Sequence, residues 1–139
     1  MQTNRALCSY FNEGPIYAKA LKAGLKVLVY EGDVDACGLQ TSPVEDVFVP
    51  LFDSILKKTS NWRPWTSDGY QNMGGYVIEW DDRKAQFVSV RGSGHLVPLN
   101  RPKMASVMIN AFTQNDKLPE LNRNKLQQKE TIQTQAVQL

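Results

Sequence analysis

Two residues of this chain have the side chains and surroundings for proton-transfer chemistry: Asp35, in Glu31-Gly32-Asp33-Val34-Asp35, and His95, in Arg91-Gly92-Ser93-Gly94-His95. A carboxylate accepts a hydrogen bond from one imidazole nitrogen, which fixes the tautomer and favours the imidazolium formed when the other nitrogen takes a proton. His95 is the only histidine in the sequence, and a lone loop histidine is more often a surface or core residue than a base, so spacing alone does not make it catalytic. Glycines at 92 and 94 let the backbone carry the ring close to a partner. Asp33 reads as a loop-structuring aspartate rather than a second catalytic acid, because a short carboxylate readily bonds nearby backbone N–H groups. Sixty residues separate acid and base. The acid comes first, as in the last two members of the chain order Ser, Asp, His.

Such a pair needs rigid elements behind it. Lys26-Val27-Leu28-Val29-Tyr30 is a compact apolar run that predicts a buried parallel strand ending at the Asp35 loop. Tyr76-Val77-Ile78-Glu79-Trp80 and Ala85 to Val90 predict a β-hairpin turning through Asp81 to Lys84, with the His95 loop at its end. Both candidate residues therefore follow strands, where α/β sheets concentrate function. Around them, Gly14-Pro15 opens a short helix with Ile16, Tyr17, Ala20 and Leu21 on one face, ended by Gly24. Ser42-Pro43-Val44-Glu45 fits a capping box for a helix through Phe48, Phe52 and Leu56, which Pro50 is expected to kink or break. A last helix is predicted from about Pro102, with Met104, Val107, Met108, Ala111 and Phe112 towards a core. The expected organisation is one globular unit over residues 1–118 and a disordered, Gln-rich tail over 119–139.

Composition removes several function classes. A formal net charge of +2, with Lys and Arg scattered, lacks the basic stripe of a nucleic-acid binder. One histidine and two distant cysteines, Cys8 and Cys37, cannot assemble a zinc site. Those two thiols are read equally as a disulfide or as unrelated. No run reaches 18 apolar residues, and Met1 to Asn12 lacks the apolar core of a secretory signal, so neither membrane crossing nor targeting is expected from this sequence.

The segment Val27 to Cys37, a strand followed by Gly-Asp-x-Asp and then a cysteine, resembles the acid segment of serine carboxypeptidases of the cathepsin A and carboxypeptidase Y type. Phe87 to Pro98, a strand followed by Gly94-His95-Leu96-Val97-Pro98, resembles the histidine segment of the same family. Asn61-Trp62-Arg63-Pro64-Trp65, Gly74-Gly75-Tyr76-Val77 and Arg101-Pro102 are similar to family pieces in the same order. The resemblance runs from about Ile16 to Pro119 and implies the C-terminal part of an α/β-hydrolase sheet, incomplete, with three strands plus flanking helices. It assigns Asp35 as triad acid and His95 as triad base, and puts Cys37 and Leu96 in the substrate pocket. No cofactor is implied.

The nucleophile is the departure. Gly-x-Ser-x-Gly does not occur, and Ser93 in Arg91-Gly92-Ser93-Gly94-His95 is not such an elbow. Cys37 stands two residues after Asp35 where three is usual in the family, and Leu96 replaces a common methionine. The resemblance therefore implies removal of C-terminal residues from peptides and proteins, with the serine on a missing N-terminal chain, and a lysosomal or secreted location for the family. Alternatives are an acyltransferase sharing the triad and a non-catalytic binding protein.

Overall fold

The computed structural model describes residues 14–35, 48–69 and 72–120. Helix α1 (Gly14–Lys22) leads into strand β1 (Val27–Gly32), and helix α2 (Val49–Ile55) precedes strands β2 (Arg63–Thr66), β3 (Met73–Trp80) and β4 (Ala85–Val90). A single helical turn, α3 (Val97–Asn100), and the longer α4 (Pro102–Gln114) follow. The strands form one mixed sheet in the order β1-β4-β3-β2, so the class is α/β.

Four strands stand where three were expected. The additional one, β2, is four residues long and contains Pro64, and proline is tolerated in a sheet only at an edge, which is where β2 lies. The strand from Val27 is parallel to β4, as its uninterrupted apolar run predicts, and the hairpin of β3 and β4 forms with Asp81 to Lys84 as its turn. Asp81, Asp82 and Arg83 all take positive φ in that turn, a conformation unusual for residues other than glycine.

Alternation along the strands divides the apolar residues between two cores. Val27, Val29, Ile78, Trp80, Ala85 and Phe87 meet α1 and α2 on one face through Leu21, Phe48 and Phe52. On the other, Val77, Val88 and Val90 meet Ala105, Met108 and Ala111 of α4. A Phe or Leu buried this way contributes about 1.5–3 kcal/mol, so the layers on both faces hold the sheet between them.

Details differ from expectation. Ile16 is 69% exposed, and the buried stripe of α1 is the narrower set Tyr17, Ala20 and Leu21. Phe112 is only half-buried, and the Lys26 ammonium lies over its ring, 5.0 Å from the centroid. Pro50 stands in the first turn of α2, where its missing N–H costs nothing. The capping box at Ser42 to Glu45, Cys8, Cys37 and the tail beyond Glu120 lie outside the described residues. Pro119 and Glu120, expected in the tail, pair with β2: Thr66 N donates to Pro119 O at 2.8 Å and Glu120 bridges to Trp65.

Candidate active site

The register of β1 on β4 brings acid and histidine together. Val27 pairs with Ala85 and Gly32 with Val90, so both strands end at the same level. Asp35 is reached three residues beyond one end and His95 five beyond the other. The parallel ladder continues into the loops, with Asp33 N donating to Val90 O and Val34 N to Ser93 O, both at 3.1 Å. Asp33 ties them from the other side, its Oδ1 accepting from Gly92 N at 2.6 Å. That is the loop-structuring part expected of it.

Close contact of the two loops explains the glycines. A Cβ on Gly32 would lie 2.0 Å from the Ser93 carbonyl oxygen, so no other residue fits without separating the loops. Gly92 has φ +66, in the left-handed region. At Gly94 a Cβ would meet nothing nearer than Asn100 Oδ1 at 3.6 Å, so the close approach expected there belongs to Gly32 instead.

Asp35 Oδ2 lies 3.0 Å from His95 Nδ1. A carboxylate can only accept, so the pairing puts the hydrogen on Nδ1 and leaves Nε2 as the lone-pair nitrogen. The acid side chain is 9% exposed and the imidazole 78%. The buried partner is held, and the free ring nitrogen faces outward, as a base acting on a proton from elsewhere requires. Leu96, beside it, is 58% exposed. Ser93 is fully buried and its hydroxyl donates to Gly94 O at 3.1 Å, so it is not presented to a substrate.

Reasoning from sequence does not single out Glu31, whose signal is a charged residue directly after an apolar strand run. It is 6% exposed and Oε2 has no hydrogen-bond partner. Burial, and then the nearby Asp35 charge, push its carboxyl up to about 7. It lines a cavity of about 390 Å³ together with Asp33, Tyr76 and Arg91.

Among the described residues, no group of three or more His, Cys, Asp or Glu side chains is placed to hold a metal ion, and no helix is long and apolar enough to cross a membrane.

Comparison with known proteins agrees with the motifs. The family described as serine carboxypeptidase matches residues 8–115, a span containing both Asp35 and His95. Serine carboxypeptidase-like 26 of Oryza sativa subsp. japonica is 38% identical over 108 residues, covering 76% of this chain and 20% of the relative. Serine carboxypeptidase-like 33 of Arabidopsis thaliana is 37% identical over 105 residues, with the same coverage of both chains. A P-(S)-hydroxymandelonitrile lyase of Sorghum bicolor is 31% identical over 111 residues, covering 79% of this chain and 21% of the lyase. The chain thus spans about a fifth of the length of the curated relatives it matches. Family match, strand register and the order of the two loops agree, and the chain belongs to the serine carboxypeptidase family.

Proposed function

We propose that this chain supplies the acid and base of a Ser-Asp-His triad for a serine-type carboxypeptidase, and that the nucleophilic serine comes from a segment outside these 139 residues. The observation that carries the reading is the 3.0 Å contact of Asp35 Oδ2 with His95 Nδ1, with the rest of the ring exposed. His95 Nε2 takes the serine proton as the hydroxyl attacks the last peptide bond, then returns it to the departing amine. A water deprotonated by the same nitrogen releases the acyl group. Asp35 holds the tautomer and stabilises the imidazolium between those steps. Peptide and protein C-termini are the substrates of this reading. On this reading Leu96 and Cys37 belong to the substrate pocket, and a secreted or lysosomal location accompanies it.

The lyase among the relatives favours a second reading, a different reaction run on the same dyad; the acyltransferase alternative belongs with it. Product analysis separates them from hydrolysis.

The test is complementation. We expect the 139-residue chain alone to release no amino acid from an N-blocked dipeptide and to take up no fluorophosphonate. A chimera in which it replaces the matching C-terminal fifth of an active serine carboxypeptidase should do both. Stoichiometric labelling of the isolated chain, at Ser93 or any other serine, would contradict the proposal.

A further inference from the structure

The cavity beside the dyad brings an acid and a guanidinium to one space without pairing them among the described residues. Glu31 pairs in register with Ser89, and Arg91 follows β4 directly, two residues beyond Ser89, so acid and guanidinium come to one end of the same pair of strands. Both line the cavity of about 390 Å³. Among the described residues Glu31 makes no ion pair, and its buried Oε2 has no hydrogen-bond partner there. Among the described residues the Arg91 side chain reaches the Met73 sulfur, at 3.6 Å, and no carboxylate within ion-pair distance. A buried carboxyl left without a partner is costly, about 1–3 kcal/mol, a cost that a ligand donating to it would relieve. Asp33 adds a second carboxylate to the lining, while Tyr76 and Met73 give it an aromatic and a thioether wall.

We propose that this cavity binds a free α-amino acid, with Arg91 taking the carboxylate, Glu31 the ammonium group, and Tyr76 and Met73 the side chain. A zwitterion is the ligand class that satisfies one cation and one buried acid facing a common space. The inference deepens the carboxypeptidase reading, since a free amino acid is what C-terminal trimming releases. The lining includes neither Asp35 nor His95, and binding requires no nucleophile.

The test is a titration of the isotope-labelled 139-residue chain with L-leucine at neutral pH, followed by NMR at the Gly75 and Arg91 amides. Affinity should be about millimolar for a ligand this small. N-acetyl-L-leucine, which lacks the ammonium, and L-leucinamide, which lacks the carboxylate, should each bind at least about tenfold more weakly, the cost of one charged hydrogen bond. Glu31→Gln and Arg91→Gln should each cost a similar factor for leucine. Glu31 ionises among Asp33 and Asp35 on its own loop, Tyr76 on β3 and Arg91 after β4. Leucine affinity should therefore rise about tenfold from pH 5 to pH 8. The chimera, whose fold is reported by its hydrolysis, serves as a second vehicle for the same ligands. Equal binding of leucine and its two derivatives, or no shift at either amide with leucine in both vehicles, would overturn the proposal. Neither result bears on hydrolysis, and loss of hydrolysis alone would leave this site standing.

Discussion

Asp35→Asn is expected to lower kcat of the complemented enzyme by about 10⁴-fold, the scale on which triads lose rate when the acid can no longer hold the imidazole. An asparagine is isosteric, and its Oδ1 can still accept from Nδ1. Its amide can also donate, so the ring has no reason to keep the tautomer with a free Nε2, and the imidazolium loses its counter-charge. The effect should appear in kcat and kcat/KM together, because the stabilisation is felt after substrate is bound. His95→Ala should fall at least as far, and the double variant little further, since the two residues act as one unit. Steady-state hydrolysis of an N-blocked dipeptide reads all three. A loss below about tenfold for Asp35→Asn would mean that the 3.0 Å contact is not the catalytic one.

Glu31→Gln should move stability the other way. Its carboxyl titrates near 7 in the fold against 4.5 ordinarily, so the folded protein favours the neutral acid. The sign follows directly. Stability attached to the neutral form is complete below about pH 4.5 and is lost as pH rises through 7, amounting to about 3 kcal/mol. Glutamine stays neutral throughout, so the variant should match the parent at pH 4 and exceed it by roughly 10 °C in Tm at pH 8, an estimate for a domain of this size. Thermal unfolding at the two pH values checks this. Equal Tm differences at both would show that the carboxyl is not held neutral by burial. The variant should at the same time lose amino-acid binding, a gain in stability set against a loss of recognition.

The parts of the fold legible in the sequence were those written as local patterns. The Lys26 to Tyr30 run, the hairpin and the Pro102 helix each carry their own periodicity or apolar density, and Asp35 and His95 sit in loops defined by glycines and strand ends. Asp35 and His95 are legible across sixty positions because each carries its own motif, whereas distant pairings that no motif marks left no trace in the sequence. The short strand β2 exists because Arg63 to Thr66 is stitched to β3 and because Arg63 meets the buried Glu79 at 3.1 Å. The turn through Asp81 to Arg83 takes a left-handed backbone that no glycine announces. Likewise, Gly32 owes its identity to the Ser93 carbonyl, 61 positions along the chain. Glu31 looked like loop polarity and is a buried acid, because its fate depends on the register of β1 with β4.

Covalent labelling of the complementing serine tests the central claim most directly, because it reads nucleophile activation without substrate binding or product release. Fluorophosphonate is added to the chimera carrying this chain intact, with His95→Ala, or with Asp35→Asn, and the rate of serine phosphonylation is followed by mass spectrometry. Fast labelling with the intact chain and a loss of about 10³-fold or more with either variant is the predicted result. Equal labelling rates in all three would contradict the assignment of Asp35 and His95 as the acid and base of the triad.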